Sequence, residues 1–282
     1  MSDSLAVLPQ YLLPKKALTI FAGWVAGAKG GGLTTALIRW FVKRYDVNMA
    51  EAAAPDIASY ATFNDFFTRA LKDGARPLLA ADYVCPVDGA ISQFGPITGD
   101  QIFQAKGHSY STTALVGGDS VLAAQFQNGS FATLYLSPRD YHRIHMPCEG
   151  DLRRMIYVPG DLFSVNPTTA RGVPGLFARN ERVVCVFDSA DGPFVLTLVG
   201  ATIVGSMATV WHGQVNPPRS PQICEWQYQA GQVSLKKGAE MGRFMLGSTV
   251  VMLFGKGRVA FNPEWAATRP IRMGEAMGSQ PA

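Results

Sequence analysis

A buried strand is predicted near the C-terminal end of the chain, and a Gly-Ser peptide bond stands directly before it. Residues 249–254 are all β-branched or apolar, which is typical of a strand covered on both faces. Gly247 has no side chain, so its backbone can adopt a strained conformation and another group can approach its carbonyl closely. Two interpretations follow. Either Ser248 caps a turn where the strand starts, or its hydroxyl reacts with the Gly247 carbonyl.

The reactive interpretation would produce an electrophile from the chain itself. Attack by Ser248 Oγ on the carbonyl carbon of Gly247 would convert the peptide bond into an ester. Elimination across the serine Cα–Cβ bond would then leave dehydroalanine, and hydrolysis with loss of ammonia would turn that residue into a pyruvoyl group. A chain cut between residues 247 and 248 would therefore carry its own ketone.

Composition narrows the classes of partner. Charged residues make up 16% of the chain, against about 25% in an average soluble domain, so this chain is more apolar than most. The net charge of +4 is dispersed, which argues against nucleic acid but suits an anionic lipid surface. The four cysteines are widely spaced, with no C-x-x-C pair, so we expect neither a zinc site nor a disulfide framework, and a reducing compartment.

The first part of the chain is predicted to form helices that associate with a membrane. An apolar run from residue 17 to residue 28 follows two lysines, but it is too short for the ~20 residues that span a bilayer. Residues 33–44 form a second amphipathic pattern that includes Trp40 and several basic residues, as an interfacial helix requires. The alternative is that both helices simply pack on the rest of the protein. No secretory signal is recognisable in residues 1–13.

A change of pattern after residue 60 predicts a second domain. Thr62 and Asp65 form a potential capping box for a third helix, which we expect to end at Gly74. Short β-like segments follow, separated by turns rich in Gly, Pro and Asn. They are residues 84–91, 130–136, 152–158, 182–188, 194–204 and 249–254. The prediction is an α+β fold, with N-terminal helices (residues 1–60) that cap a mostly antiparallel β domain (residues 61–282).

Three further stretches contain residues that could take part in chemistry. Asp88 lies in a Pro-Val-Asp-Gly turn, and Asp-Gly is also a common structural turn. His142 and His145, two of the four histidines, lie between prolines, and both reach one site only if the backbone bends there. One could equally be a core histidine and the other a surface histidine. The loop after Gly160 has the mixture of polar side chains and phenylalanine typical of a ligand-facing loop.

Several familiar enzyme motifs are missing from the sequence. There is no G-x-S-x-G turn, no Walker A loop, no G-x-G-x-x-G after a strand and no H-E-x-x-H. An α/β-hydrolase, a nucleotide-binding enzyme and a zinc peptidase are therefore disfavoured.

Taken together, the motifs resemble those of the bacterial phosphatidylserine decarboxylases, in the longer, membrane-bound form of that family. The resemblance extends from about residue 60 to residue 255 and more loosely over the N-terminal helices. It rests on Pro86-Val87-Asp88-Gly89, Tyr141-His142-Arg143-Ile144-His145-Met146-Pro147, Gly160-Asp161-Leu162-Phe163-Ser164-Val165-Asn166, Phe177-Ala178-Arg179-Asn180-Glu181-Arg182 and Leu246-Gly247-Ser248-Thr249.

The resemblance implies self-cleavage between Gly247 and Ser248. The products would be a β chain of residues 1–247 and an α chain of residues 248–282 that starts with the covalent pyruvoyl cofactor. The family assigns the cleavage to a triad, here Ser248, His145 and Asp88, in which the imidazole accepts the hydroxyl proton and the carboxylate stabilises the imidazolium. Thr249 or a nearby backbone N–H is a candidate donor to the oxyanion.

The resemblance also implies the reaction that follows. The amine of phosphatidylserine would form a Schiff base with the pyruvoyl ketone, which accepts electrons as carbon dioxide leaves, and phosphatidylethanolamine would be released. We assign His142 as the proton donor and Phe163 and Asn166 as substrate-binding residues. No metal is required.

The expected setting is the cytoplasmic face of the cell membrane, with the enzyme bound peripherally to an anionic surface. A homodimer of the cleaved chain pairs is left open, and no nucleic acid partner is expected. Three alternatives remain: a serine hydrolase that uses Ser248, His145 and Asp88 without cutting its chain, a non-catalytic membrane-binding β module, and a pyruvoyl enzyme acting on a small soluble amine precursor.

Overall fold

The structure is a computed structural model that describes residues 3–203, 206–246 and 249–281, without the side chains of residues 4–6. Of the eight α-helices in the described residues, the first four, which include the three longest, precede the first strand. The eight are α1 (Asp3–Leu12), α2 (Lys15–Gly27), α3 (Gly32–Tyr45), α4 (Phe63–Phe67), α5 (Thr112–Leu115), α6 (Ser120–Ala124), α7 (Pro167–Gly172) and α8 (Leu176–Arg179). Two short 3₁₀ helices, Met49–Glu51 and Ile57–Ser59, connect α3 to α4.

The strands begin after α4, and every ladder between them is antiparallel in the described residues. They are β1 (Tyr83–Val84), β2 (Gly89–Pro96), β3 (Gln101–Ala105), β4 (His108–Ser111), β5 (Ser130–Tyr135), β6 (Arg143–His145), β7 (Gly150–Val158), β8 (Arg182–Ser189), β9 (Gly192–Val199), β10 (Met207–Thr209), β11 (Gly213–Asn216), β12 (Cys224–Gln227), β13 (Ser234–Leu235), β14 (Glu240–Phe244), β15 (Thr249–Phe254), β16 (Ala260–Phe261), β17 (Pro270–Ile271) and β18 (Ala276–Ser279).

Strand β15 is an interior strand of the largest sheet, whose order is β12-β7-β8-β9-β15-β5-β2-β17 with β13 also on β7. All six of its residues are buried. Val250, Met252 and Phe254 belong to one hydrophobic core, and Val251 and Leu253 belong to the core on the other face. A strand covered on both faces reads as a continuous apolar run, so the predicted burial of residues 249–254 is confirmed.

Smaller sheets and the N-terminal helices complete the fold. A four-stranded sheet has the order β11-β10-β14-β6, and β1-β18-β16 and β3-β4 form two further sheets. Helix α1 packs on α7, where the Gln10 side chain donates to Thr169 Oγ1 at 3.0 Å. Phe41 of α3 contacts Phe63, Phe66 and Phe67 of α4 edge-on. The predicted α+β class is confirmed, whereas the division at residue 60 stays a prediction.

Three element boundaries differ from those predicted. Helix α4 has the expected capping box, but it ends at Phe67 instead of near Gly74 because the chain then pairs with residues 51–53, through Ala53 N to Ala70 O at 2.9 Å. The predicted strand 84–91 is interrupted by Pro86, which has no N–H to donate, and the segment 194–204 leaves the sheet at Val199. Helix α1 was not predicted; its Pro9 is an unfavourable residue within a helix.

Candidate active site

The predicted cleavage site, Gly247 and Ser248, lies outside the described residues, but the elements on both sides of it are fixed. Strand β14 ends at Phe244 and β15 begins at Thr249. Thr249 lies between Val199 of β9 and Tyr135 of β5 in the sheet. The predicted cleavage site therefore lies in the connection between β14 and β15, where the chain enters an interior strand.

The register of the sheet brings Asp88 to the same end. Ala90 of β2 and Thr249 of β15 both pair with Tyr135, on opposite sides of β5. Gly89 has φ +156°, and a Cβ there would lie 2.2 Å from the Tyr135 carbonyl oxygen, so only glycine lets this turn approach β5 so closely. Asp88, the next residue back, is thereby held at the edge where the chain enters β15.

The carboxylate of Asp88 is paired with an arginine that the sequence did not reveal. Arg76 Nε donates to Asp88 Oδ1 at 2.9 Å, and the backbone N–H of Met273 donates to the same oxygen at 2.9 Å. Arg76 also donates to Glu51 Oε2 at 2.7 Å. Burial by itself would lower the pKa of Arg76, but its hydrogen bonds to Asp88 and Glu51 outweigh burial and raise it. Asp88 is therefore held in place as one member of a buried ion-pair network.

The imidazole of His145 is close to Asp88 along the backbone but has other partners. His145 N donates to Pro86 O at 2.8 Å, which joins the two segments. Nδ1 lies 2.8 Å from Gly238 O, and Nε2 lies 3.0 Å from the hydroxyl of Tyr141. A carbonyl can only accept, so Nδ1 carries the proton and the Tyr141 hydroxyl donates to Nε2. No Asp88–His145 hydrogen bond is present.

The side chains of His145 and Tyr141 are both uncharged at neutral pH. Burial lowers the pKa of His145, although the Gly238 carbonyl and the negative charges of Glu240 and Asp88 oppose that shift. Burial also raises the pKa of Tyr141 to about 12. The imidazole is therefore a neutral base whose accepting nitrogen is occupied by the tyrosine hydroxyl.

His142 is completely buried, and its Nε2 has no hydrogen-bond partner in the described part of the chain. Its Nδ1 donates to Asp140 O at 2.8 Å, and its ring centroid is 4.1 Å from that of Phe67. Phe244 N donates to His142 O at 3.0 Å, next to the segment that leads to residue 247. Burial lowers the pKa of His142 to about 3, so Nε2 is an unprotonated acceptor.

Thr249 supplies a second buried polar atom without a partner. Its side chain is fully buried, and Oγ1 makes no hydrogen bond to any described residue. An unpaired hydroxyl in an apolar environment is unfavourable by about 1–3 kcal/mol. Thr249, predicted as a donor to the oxyanion, directly follows residue 248, and His142 is hydrogen-bonded through its backbone to Phe244; each has a buried side-chain atom with no partner among the described residues.

Phe163 and Asn166, the predicted substrate-binding residues, make contacts with other residues of the protein. Phe163 is 1% exposed and lies beneath α1, where its ring contacts Tyr11 with centroids 5.0 Å apart. Asn166 caps α7 by accepting from Thr169 N at 2.9 Å. Neither residue lines either of the two cavities near the site, so their role in binding stays a prediction.

Two cavities adjoin this end of the sheet. The first, of about 680 Å³, is lined by Asp88, Arg76, Tyr135 and Tyr141 among other mostly polar groups. The second, of about 640 Å³, lies between α2 and residues 203–245, with Trp24, Ile203 and Met245 in its walls. In the described residues, no cluster of three or more His, Cys, Asp or Glu side chains is arranged to hold a metal ion.

Large aromatic side chains are exposed on α2 and α3. Phe21, Trp24 and Trp40 are 64%, 72% and 57% exposed. The described helices include none with the length and hydropathy of a membrane span.

Sequence reasoning missed the residues that hold these groups in place. Arg76 is 12 residues before Asp88, and Gly238 is 93 residues after His145. No spacing rule connects residues so far apart. Tyr141 was within the recognised histidine motif, and its position four residues before His145 was the one available signal.

Buried ionisable groups with shifted pKa values gather where an interior strand begins, an arrangement typical of an enzyme active site. A family model described as phosphatidylserine decarboxylase matches residues 63–279, and one described as PSD matches residues 5–46. The chain therefore belongs to the phosphatidylserine decarboxylase family, and the predicted membership is confirmed.

Individual relatives are similar along the whole chain. The phosphatidylserine decarboxylase proenzyme of Dechloromonas aromatica is 76% identical over 279 residues, with 99% of each chain covered. The proenzyme of Albidiferax ferrireducens is 76% identical over 281 residues, covering 100% of this chain and 99% of its own. That of Variovorax paradoxus is 74% identical over 279 residues, with 99% of each chain covered.

Proposed function

We propose that the chain is the precursor of an enzyme that converts phosphatidylserine into phosphatidylethanolamine and carbon dioxide, with Ser248 as the source of a covalent pyruvoyl group. Family membership supports the decarboxylation, and the relatives' designation as proenzymes supports processing. The structural observation that carries the proposal is that two buried atoms, His142 Nε2 and Thr249 Oγ1, have no hydrogen-bond partner among the described residues. Thr249 directly follows residue 248, and His142 is hydrogen-bonded through its backbone to Phe244 of β14.

The residues around position 248 fit a pyruvoyl group. Such a group supplies a ketone that accepts the electrons released when carbon dioxide leaves. It is small and covalently attached, so it needs hydrogen-bond donors rather than a separate binding pocket. The hydroxyl of Thr249, which lacks a partner in the described residues, can donate to an oxygen on the preceding residue.

The self-cleavage step requires His145 to exchange one partner. Its Nε2 accepts from Tyr141, and it must release that hydroxyl to take the proton from Ser248 Oγ. Asp88 is bound to Arg76 and the Met273 N–H, so it assists by its charge, which favours protonation of His145. We infer that the precursor is held in a resting arrangement by the Tyr141–His145 hydrogen bond.

In the decarboxylation step, we assign proton transfer to His142. Its Nδ1–H is held by the Asp140 carbonyl, so proton exchange takes place at Nε2. That atom can accept a proton from the substrate's ammonium group and return it to the carbon from which carbon dioxide has departed. A group that first accepts and then returns a proton works best with a pKa near neutrality, and the negative charges of a bound phospholipid close to the ring would raise the pKa of His142 in that direction.

The proposed substrate is a membrane lipid, and the N-terminal helices support that assignment. Trp24 and Trp40 project from α2 and α3, beside basic residues such as Lys43 and Arg44. Aromatic and basic side chains together are typical of helices that lie in an anionic membrane interface. The cavity next to Trp24 extends to Met245 and offers a route from the lipid surface. We therefore propose peripheral binding to the cytoplasmic face of the cell membrane.

Replacing the nucleophile tests the chemistry. Ser248→Ala should remain a single chain and release no carbon dioxide from phosphatidylserine vesicles, whereas the unmodified chain should be cut into two chains and release carbon dioxide. If the protein were a serine hydrolase, Ser248→Ala would lose activity, but neither the variant nor the unmodified chain would be cut. A non-catalytic membrane module would show no difference between the two proteins, which would refute the proposal.

Replacing the exposed aromatic residues tests the lipid substrate. The variant Trp24→Glu/Trp40→Glu should bind anionic vesicles weakly and decarboxylate vesicle substrate slowly, while retaining activity on detergent-dispersed phosphatidylserine. Val121→Glu is a matched control, because Val121 is 78% exposed on α6. Full activity of the double variant on vesicles, or preference for a small soluble amine precursor, would contradict the lipid assignment.

A further inference from the structure

Arg69 is a buried cation that forms no ion pair within the described residues. It is 4% exposed, and its Nε has no hydrogen-bond partner there. Nη2 donates to the carbonyl oxygen of Arg139 at 3.3 Å, and the guanidinium lies 5.5 Å from the centroid of the Phe66 ring. Burial lowers the pKa of Arg69, and nearby acidic groups oppose that shift only by their charge. A buried charge is unfavourable unless it is paired.

Two other arginines show how this fold accommodates a guanidinium away from solvent. Arg182 is 3% exposed and donates to four backbone carbonyl oxygens. Arg76 is paired with Asp88 and Glu51. Arg69 has neither arrangement, so its guanidinium retains donor capacity for an anion that is not part of the described chain.

The acidic groups whose charge acts on Arg69 include Asp88, Glu51 and Asp140, and each has a partner of its own. Asp88 and Glu51 both accept from Arg76, as described above. Asp140 accepts from the backbone N–H of Ser137 at 2.6 Å and from its hydroxyl at 2.7 Å. These carboxylates are therefore not the missing counter-charge of Arg69.

Arg69 lines the polar cavity of about 680 Å³. Two further arginines of its wall, Arg139 and Arg272, have side chains that are 64% and 62% exposed. Asp46 and Glu275 also line the cavity, but they are exposed and half-buried respectively, so solvent screens their charge. The buried cation of this wall without a counter-charge is thus Arg69.

The cavity reaches the strand end where the pyruvoyl group would form. Tyr135 lines it and pairs with Thr249, the residue that follows position 248, and paired Cα atoms in an antiparallel ladder are about 5 Å apart. Asp46 and Asn48 form another part of the wall, directly after α3, the helix that exposes Trp40. The cavity therefore has walls at the proposed reaction centre and next to a proposed membrane-binding helix.

The head group of the proposed substrate contains two anions, a carboxylate and a phosphate. The carboxylate loses its charge as carbon dioxide leaves, so a buried cation bound to it would stabilise the substrate more than the transition state. The phosphate keeps its charge throughout, and a guanidinium matches the geometry of its oxygen atoms. Only two carbons and one oxygen separate it from the amine, so an amine bound at position 248 would keep the phosphate close.

We propose that Arg69 binds the phosphate of the phospholipid head group within the polar cavity. This inference rests on the proposed function and names the part of the substrate that the cavity recognises. Because the phosphate does not react, the contact should be equally strong in the substrate and in the transition state, and such a contact affects KM and not kcat. The product keeps the phosphate, so it should bind through the same residue.

The test measures kcat and KM on phosphatidylserine in neutral detergent micelles, after complete self-cleavage of each protein has been verified by size. Arg69→Met should raise KM by about tenfold, the effect of losing one charge-assisted hydrogen bond, while kcat stays within about twofold. Arg69→Lys keeps a positive charge without the planar guanidinium, and its KM should be intermediate. Arg153→Met is the matched control, because Arg153 pairs with Asp188 at 3.5 Å and lines neither cavity near the site; its KM should be unchanged.

Soluble analogues identify the anion and its source. Glycerophosphoethanolamine contains the phosphate but no carboxylate, and it should inhibit Arg69→Met about tenfold more weakly than the unmodified enzyme. Equal inhibition of the two proteins would overturn the phosphate assignment. Inorganic phosphate that inhibits the unmodified enzyme as strongly as the analogue would indicate a site for free phosphate, and would also overturn it.

An unchanged KM in Arg69→Met would overturn the inference while leaving the proposed function intact. Failure of both Arg69 variants to cleave themselves would also overturn it, because the residue would then act in folding or in cleavage. If only Arg69→Met stays uncut, the KM of Arg69→Lys decides. An unmodified chain that releases no carbon dioxide would instead refute the proposed function, so the two failures are distinguishable.

Discussion

The hydrogen bond between Tyr141 and His145 gives the most specific prediction about self-cleavage. The hydroxyl donates to Nε2 over 3.0 Å, and that nitrogen must be free before it can accept the Ser248 proton. A neutral hydrogen bond of this kind contributes about 1 kcal/mol net. Tyr141→Phe removes the bond from the resting precursor, and if none of its energy persists in the transition state, cleavage should accelerate about fivefold.

The assay is a time course of cleavage after a short pulse of cell-free synthesis, with the two fragments separated by size. Tyr83→Phe is the control, since its buried hydroxyl bonds Asp191 at 3.0 Å in another part of the fold, and its cleavage rate should match that of the unmodified chain. Slower cleavage of Tyr141→Phe would refute the reasoning, because it would mean that the tyrosine assists the base instead of restraining it.

Three further predictions concern the ionisable groups. Asp88→Asn and His145→Ala should accumulate as uncut precursor, and rapid processing of either would exclude it from the cleavage machinery. His142→Ala should be cut normally yet release no carbon dioxide from phosphatidylserine; an uncut product would reverse the division of labour between the two histidines. Arg76→Met leaves Asp88 buried without its counter-charge, which should reduce the free energy of unfolding by about 3 kcal/mol. Measured in the uncleavable Ser248→Ala protein, this loss should lower the melting temperature by about 6 to 12 °C. Arg272→Met, at a side chain that is 62% exposed, should change it by less than about 2 °C, and equal losses in the two variants would argue against a special role for the Arg76 pair.

The fold could be predicted where local pattern and tertiary environment agree. Residues 250–254 are apolar without interruption because both faces of β15 are covered, and the capping box at Thr62 marks the start of α4. The end of α4 could not be predicted, because it depends on pairing between residues 51–53 and residues 70–72, which no local pattern reveals. The break between β1 and β2 was signalled by Pro86, and the predicted continuous strand was wrong there.

The sequence identified candidate site residues, whose roles stay predictions, but it did not reveal the hydrogen-bond network around them. Histidines 142 and 145 were identified by their motif; His142 directly precedes β6 and His145 is its last residue, and their action at one site stays a prediction. Their hydrogen-bond partners come from Asp140, Tyr141 and Gly238, and only the folded chain selects these from many candidates. That His142 Nε2 has no hydrogen-bond partner in the described ranges is likewise a property of packing, because it depends on what surrounds the ring.

The central claim is that one peptide bond is replaced by a keto group made from Ser248. The most direct measurement is the intact mass of the freshly purified, active protein, followed by treatment with a hydrazine reagent. We predict two polypeptides, residues 1–247 and residues 248–282, with the second blocked at its first residue and modified by the hydrazine. An active preparation that consists of one unbroken polypeptide without a reactive carbonyl would contradict the account.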